Sequence, residues 1–281
     1  MGFKRVNRES PCPVCGKQDW CLVAENKCVA ICARVQSALP KGEAGWLHKL
    51  TDNWERPWRP VQRPATKPTI DWLDLCNQYR RACRLGSLAW LANELGVGMD
   101  SLERLQVGWN DQRRVFSFPM RDVDGKPCGI RYRSYSGAKF SETHSREGLF
   151  FQPTDLLPNY LVIVEGASDA AAVMTVGFQS VIGRANNVGN VSQLLSILRG
   201  HRFNRVVVVP DSDEPGQRGA AALAESMVAA ELPKPEILQL PDGFKDCRAM
   251  VQRKKNARGL QSLLARLTNY HPKQLVMHEA N

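Results

Sequence analysis

Two groups of residues in this sequence have the types and spacing to do chemistry. The first is acidic: Glu165 closes the apolar run LVIVEG, and Asp211 and Asp213 end the run RVVVVPDSD. Side chains two apart in extended chain point the same way, so Asp211 and Asp213 can face one cation that Glu165 reaches from a neighbouring strand. Three hard oxygen donors with room for water and phosphate suit Mg²⁺ or Mn²⁺ better than zinc. An Asp-x-Asp pair is common in loops, but this one has company. Gly166 follows Glu165, Gly216 follows the DSD pair, and a third acidic loop, LPDGFKD, comes after the next apolar run. Glycine lets backbone approach a phosphate, and a helix start offers unpaired N–H groups to an anion.

The second group is five cysteines between Cys12 and Cys32, opened by the tight C-x-x-C turn of CPVCGK. Structural zinc takes four ligands, so one of Cys12, Cys15, Cys21, Cys28 and Cys32 is spare. If residues 20–32 form a hairpin turning at Asn26-Lys27, Cys21 lies across from Cys32 at about 5 Å between Cβ atoms. Cys28, four residues along the same strand from Cys32, would be about 13 Å away. That geometry favours Cys12, Cys15, Cys21 and Cys32 for Zn²⁺, with Cys28 replacing Cys21 if the second element is a compact knuckle. The other four cysteines, Cys76, Cys83, Cys128 and Cys247, are scattered and read as core residues. The five histidines stand in no ligand spacing, and no Ser-His-Asp or Cys-His arrangement and no G-x-x-x-x-G-K-[ST] loop is present.

These groups need elements to position them. After Pro158, apolar runs alternate with helical patterns: LVIVEG, SDAAAVMTVG, QSVIG, SQLLSILRG, RVVVVPDSD, then QRGAAALAESMVAAEL and PEILQL. Strands apolar along their whole length imply burial on both faces, hence a parallel sheet with helical crossovers, and such sheets bind at the carboxyl ends of their strands. Upstream, residues 70 to about 108 show helical spacing, and RRVFSFPMRDVDGKPCGIRYRSYSG reads as a hairpin turning at Asp124-Gly125. Arg131, Arg133 and Tyr135 share one face of its second strand. Between the cysteine cluster and the helices, Pro57, Pro60, Pro64 and Pro68 defeat helix and sheet and mark a tether. Its Trp54 and Trp58, beside Arg56 and Arg59, suit either stacking on bases or docking on a neighbouring domain.

Composition limits the function classes. Lys and Arg number 38 against 28 acidic residues, a formal charge of +10 in 281 residues, the balance of a protein that handles a polyanion. No apolar run reaches the roughly 18 residues of a membrane span, and the N-terminus lacks the apolar stretch of a signal peptide. A cytoplasmic protein of two or three modules is expected, with its cysteines in a metal site and not in disulfides.

VEGASDAAAV, VVVVPDSDEPGQRGAA and LPDGFKD, in this order, resemble the three signature segments of the toprim domain of bacterial, DnaG-like primases. The same Glu and Asp-x-Asp pattern occurs in topoisomerases and some nucleases. Matched residue by residue, the resemblance implies that Glu165, Asp211 and Asp213 are catalytic and hold Mg²⁺ or Mn²⁺, and Asp246 falls where the family has a further acidic residue. RVFSFPMRDVDGKPCGIRYRS followed by GAKFSE resembles the strand-rich subdomain that precedes toprim in these primases, as does LGVGMDSLERLQVGW. That match implies Arg131, Arg133 and Lys139 as the nucleic-acid and nucleotide contacts. CPVCGK resembles the start of the family's N-terminal zinc ribbon, although no second C-x-x-C follows.

The implied architecture is α/β: a Rossmann-like parallel toprim sheet, preceded by a mixed α+β subdomain and a small β zinc ribbon. The expected divisions are 1–50 for the ribbon, 51–69 for the linker, 70–158 for the basic subdomain, 159–255 for toprim and 256–281 for a C-terminal helix and tail. The implied activity is template-dependent synthesis of short RNA primers on single-stranded DNA from nucleotide triphosphates. A replicative helicase or another replication protein is a partner class of that family. Only about 35 residues follow the last toprim segment, so a large helicase-binding domain is not expected, and a phage, plasmid or mobile-element primase fits that economy. Two other readings stay open: a toprim nuclease, and a non-catalytic zinc-ribbon DNA-binding protein.

Overall fold

The computed structural model describes residues 2–42, 44–51, 70–186, 189–253 and 256–272. The chain divides into two units, Met1–Thr66 and Lys67–Asn281. The tether with Trp54, Arg56, Trp58 and Arg59, and the tail after 272, lie outside the described residues.

The first unit is a four-stranded antiparallel sheet in sequential order: β1 (Phe3–Arg5), β2 (Leu22–Ala24), β3 (Val29–Cys32) and β4 (Trp46–Lys49). Leu22 pairs with Ile31 and Val23 with Ala30, and Lys27 takes a left-handed conformation at the tip between them. Successive residues of β3 face opposite sides. One side packs Ile31 with Ala24, Val29 and Leu47, the other packs Cys32 with Val6, Cys12 and Cys21.

The second unit begins with three helices, α1 (Trp72–Ala82), α2 (Leu85–Leu95) and α3 (Met99–Arg104). Asp71 starts α1 by accepting the Asp74 N–H at 2.9 Å, which satisfies one of the donors a helix start leaves orphaned. Then come β5 (Gly108–Asn110), the hairpin β6 (Val115–Arg121) and β7 (Pro127–Ser134), β8 (Lys139–Ser141) and the two-residue β9 (Leu149–Phe150). The rest alternates: β10 (Leu161–Glu165), α4 (Ala167–Thr175), β11 (Val181–Arg184), α5 (Val191–His201), β12 (Val206–Val209), α6 (Glu214–Ala229), β13 (Glu236–Ile237), α7 (Cys247–Gln252) and α8 (Ala257–Thr268).

Among the described residues of this unit, nine strands form one sheet, ordered β13-β12-β10-β11-β9-β6-β7-β8, with β5 on β6. Strands β13, β12, β10 and β11 are parallel, and β9 joins them to the antiparallel half by pairing with both β11 and β6. The segments read separately as 70–158 and 159–255 are thus continuous through a two-residue strand, too short to carry a periodic signal.

The parallel half is covered on both faces. Val162, Val164, Val207 and Val209 pack with α4, α7 and α8, while Leu161, Ile163, Val206 and Val208 pack with α5 and α6. Each such side chain removed from water contributes roughly 1.5–3 kcal/mol, which holds the strand ends and their carboxylates in fixed register. Among the described residues no helix is long and apolar enough to cross a membrane.

Candidate functional site

Adjacent parallel strands bring the acidic residues to one edge. Glu165 is the last residue of β10, Asp211 comes two residues after the end of β12, past Pro210, and β10 and β12 are hydrogen-bonded neighbours. Glu165 Oε1 accepts the Asp211 N–H at 3.4 Å. Asp213 caps α6, its Oδ1 accepting the Gly216 N–H at 3.0 Å. A Cβ on Gly216 would meet the Asp211 carbonyl oxygen at 2.5 Å and Glu165 Oε1 at 3.0 Å, so only glycine lets the first turn of α6 lie this close. Gly166 turns the chain from β10 into α4 at a φ of +94°, a conformation that side chains resist.

One cationic group already stands where both aspartates point. Lys245 Nζ is 3.9 Å from Asp211 Oδ2 and 3.6 Å from Asp213 Oδ2. Burial pushes the Asp211 carboxyl up to about 7, helped by the charges of Glu165 and Asp246, while Lys245 opposes the rise. Burial also raises Glu165. These carboxylates are short of positive charge, as expected of residues that fit a hard divalent cation. Among the described residues no three carboxylates bring their oxygens within 4.8 Å of one another. A Mg²⁺ ion suits such an open set, because it is commonly held by one or two carboxylates and completes its shell with water and phosphate.

Two more aspartates adjoin. Asp246 caps α7, accepting the Ala249 N–H at 2.6 Å, and its Oδ2 lies 3.8 Å from the Arg248 guanidinium. Asp169, in the first turn of α4, is buried and accepts the Arg248 backbone N–H at 3.0 Å. Burial first, then the charge of Asp246, pushes Asp169 well above the carboxylate range. Reading the sequence for acids at strand ends missed Asp169. Its signal was position: four residues after Glu165, at a helix start, it is the one charged residue of ASDAAAVMT.

The basic residues form the wall next door. Arg131, Arg133 and Lys139 line a cavity of about 220 Å³ together with Gly166, Ala167 and Ser168 at the start of α4. Arg133 and Lys139 sit opposite each other on β7 and β8, and the Arg131 guanidinium donates to the Ala185 carbonyl at 3.2 Å. Desolvation and the nearby Arg248 lower Arg133. Desolvation and the charges of Arg133 and Arg248 lower Lys139, with Asp169 and Asp246 opposing. Crowded cations beside unpaired helix N–H groups make an anion site.

In the first unit, Cys12, Cys15, Cys21 and Cys32 bring their Sγ atoms within 4.8 Å of one another. Cys15 is 3.7 Å and Cys32 3.9 Å from Cys21. The Val35 N–H points at Cys32 Sγ at 3.3 Å, and a hydrogen bond with the Lys17 backbone pulls Cys15 down to about 7. Burial pushes Cys21 up to about 12. Four soft sulfur donors at this spacing suit zinc. Cys28 stands apart, its thiol donating to the Asn26 carbonyl at 3.3 Å.

Residues 162–251 match the family described as Toprim-like. No curated protein matches the chain significantly. Among solved structures, the zinc-binding and RNA polymerase domains of the Aquifex aeolicus primase are 15% identical, with 95% of this chain and 78% of that one covered at a TM-score of 0.56. A DnaG primase catalytic domain bound to single-stranded DNA is 17% identical, covering 69% and 77% at 0.54. The primase fragment of the bacteriophage T7 primase-helicase protein is 14% identical, covering 94% and 100% at 0.50. At such identities the likeness is one of fold: the chain has the fold of DnaG-type primases and carries a toprim-like domain over residues 162–251.

Proposed function

We propose that this protein is a DNA primase that synthesises short RNA primers on single-stranded DNA. The observation that carries the reading is the convergence of Asp211 and Asp213 on the Lys245 ammonium, beside Glu165, next to a wall of Arg131, Arg133 and Lys139. An acidic site alone would suit many metal enzymes, and a basic cavity alone would suit any phosphate binder. Adjacent, they suit transfer between two phosphate-bearing partners.

Glu165, Asp211 and Asp213 would hold the divalent metal, with Asp246 and Asp169 completing the negative field around it. The metal, when bound, would offset the charge of the triphosphate and make the attacking hydroxyl more acidic. Lys245 then exchanges its aspartate partners for phosphate oxygen, which its long, 65% exposed side chain allows. Arg131, Arg133, Lys139 and the N–H groups at the start of α4 grip the triphosphate and the template backbone, leaving base choice to pairing. The four cysteines of the first unit would hold zinc and present that unit to the template. A replicative helicase is the partner class that the T7 relative brings to mind, since that fragment comes from a primase-helicase protein. A cytoplasmic site of action goes with this reading.

The test is incubation with single-stranded DNA, the four ribonucleotide triphosphates and Mg²⁺, with product length resolved on a gel. Short new RNA chains that vanish in Asp211→Asn support the reading. Cleavage of the DNA without synthesis would make the protein a toprim nuclease, and binding without either reaction would make it a non-catalytic DNA-binding protein.

A further inference from the structure

The strand face that carries Arg131 and Arg133 runs into an aromatic cluster that the metal chemistry does not use. Tyr135, two residues beyond Arg133, opens the turn between β7 and β8. Its ring packs edge-on against Trp90 of α2 at 4.4 Å between centroids, Trp109 of β5 at 5.4 Å and Phe116 of β6 at 5.5 Å. Trp90 lies parallel to Phe116 at 5.9 Å. The lower layer is fixed, because Phe116 is fully buried and the Trp109 indole N–H donates to Asp111 Oδ1 at 2.8 Å. The upper layer is open, with Trp90 39% and Tyr135 45% exposed. Neither the Trp90 indole N–H nor the Tyr135 hydroxyl has a hydrogen-bond partner among the described residues.

The two rings cross at 67° and are held rigidly from beneath, so their side-chain freedom is already lost and a flat ligand such as a base laid on the open face of either costs little further ordering. The cations say which flat ligand. Arg133 links the cavity to the cluster: it lines the cavity with Lys139 and pairs across the sheet with Phe116, the ring that Trp90 and Tyr135 pack on. A protein partner's apolar side chain would cover the rings and leave these cations unanswered. A nucleic-acid strand answers both, with phosphates on the arginines and lysine and bases on the rings.

We propose that Trp90 and Tyr135 form a base-stacking platform for the single-stranded template where it leaves the basic strands. The identity of the strand as template rests on the primase reading, but the platform itself needs only a single strand crossing β7. Stacking is tolerant of sequence, so the platform holds the template by its bases without choosing an initiation site.

The full chain is titrated with an oligothymidylate and with an abasic deoxyribose-phosphate oligomer of equal length, which presents the same phosphates without bases. The unaltered protein should prefer the oligothymidylate, and Trp90→Leu with Tyr135→Leu should reduce that preference about tenfold or more, from the usual worth of a stacked base. Tyr135→Phe should keep it, since the hydroxyl has no partner to lose. An unchanged preference in the double variant, at unchanged thermal stability, overturns the proposal. As a measurement independent of any variant's folding, a strand carrying 5-iodouracil is photo-cross-linked to the unaltered chain. Attachment at Trp90 or Tyr135 supports the platform, and attachment elsewhere alone overturns it. Primer synthesis is assayed separately: a chain that stacks bases on these rings but makes no primer would lose the primase reading and keep the platform.

Discussion

The backbone N–H of Arg248 donates to Asp169 Oδ1 at 3.0 Å, so the start of α7 is fastened to the start of α4. The same bond draws Asp246, two residues before Arg248, close enough to Asp169 for their charges to repel. A structural hydrogen bond therefore assembles part of the negative field, and the two roles of Asp169 can be separated.

Asparagine at 169 keeps the accepting oxygen and removes the charge. Asp169→Asn should hold or raise Tm, because it relieves a buried carboxylate, while Mg²⁺ affinity falls. Asp169→Ala strands the Arg248 N–H and should cost about 1–3 kcal/mol, or ~2–4 °C in Tm for each kcal/mol in a chain of this size. Thermal melts with and without Mg²⁺ distinguish the two. Unchanged Mg²⁺ affinity in Asp169→Asn would leave that residue a purely structural role.

The raised carboxylates also set a pH dependence. Asp211 ordinarily titrates near 3.8 and is pushed up to about 7 in the fold by burial and by Glu165 and Asp246. Between those values the folded chain keeps a proton that the unfolded chain has released. The unfolded state thus binds fewer protons, and this group's contribution to stability falls as pH rises. Glu165 and Asp169 are shifted in the same direction. A divalent cation competes with these protons, so the rise in Tm on adding Mg²⁺ should be small at about pH 5.5 and grow toward about pH 8. Asp211→Asn should flatten that trend in a differential scan.

How much of this was legible in the sequence depended on element length and on whether a role was local. Strands β10 and β12 announced themselves because they are apolar throughout, and Glu165, Asp211 and Asp213 followed from standing at their ends. Strand β9 has two residues and β5 three, too few for any period, so the continuity of the sheet stayed hidden. Cys21 and Cys32 were paired by hairpin arithmetic, a local argument that needs only the turn between them. Lys245 was one basic residue in an acidic loop, and its place between Asp211 and Asp213 exists only once β12 and the loop before α7 are folded together. Trp90 lies in a stretch whose helical spacing says nothing of which ring stays exposed, and its exposure beside Tyr135 is a tertiary fact.

The cysteine cluster yields a stoichiometry. One zinc per chain should be found, retained in Cys28→Ser and released in Cys21→Ser, because Cys28 bonds to Asn26 while Cys21 lies within 3.7–3.9 Å of two other thiols. Metal analysis after gel filtration reads this directly. Zinc lost from Cys28→Ser but kept in Cys21→Ser would reverse the ligand choice.

If the strand runs along β7 and β8 as proposed, their charge should govern how binding to single-stranded DNA responds to salt. Each phosphate neutralised on a single strand contributes a slope of about 0.7 in the log–log plot of affinity against salt. Replacing Arg131, Arg133 and Lys139 together by alanine should flatten the slope by about 2 if each meets one phosphate. An unchanged slope in fluorescence-anisotropy titrations would route the strand elsewhere on the chain.

The catalytic assignment of Glu165, Asp211 and Asp213 faces its sharpest test in amide variants. Asp213→Asn keeps an oxygen for the Gly216 N–H and so keeps the cap of α6, and Asp211→Asn removes a charge whose burial is unfavourable. Both variants should therefore fold, with Tm near or above that of the parent. Each loses a charged partner of Lys245 and of any divalent cation, so primer synthesis should fall on the order of 10³-fold, the scale at which removing one pre-set electrostatic contact acts on a reaction that develops charge. Glu165→Gln should behave alike. Single-stranded DNA binding should persist or tighten in all three, since Arg131, Arg133 and Lys139 are untouched and a nearby negative charge is gone. Synthesis at the parental rate in a well-folded Asp211→Asn, Asp213→Asn double variant would place the chemistry away from the β10 and β12 edge.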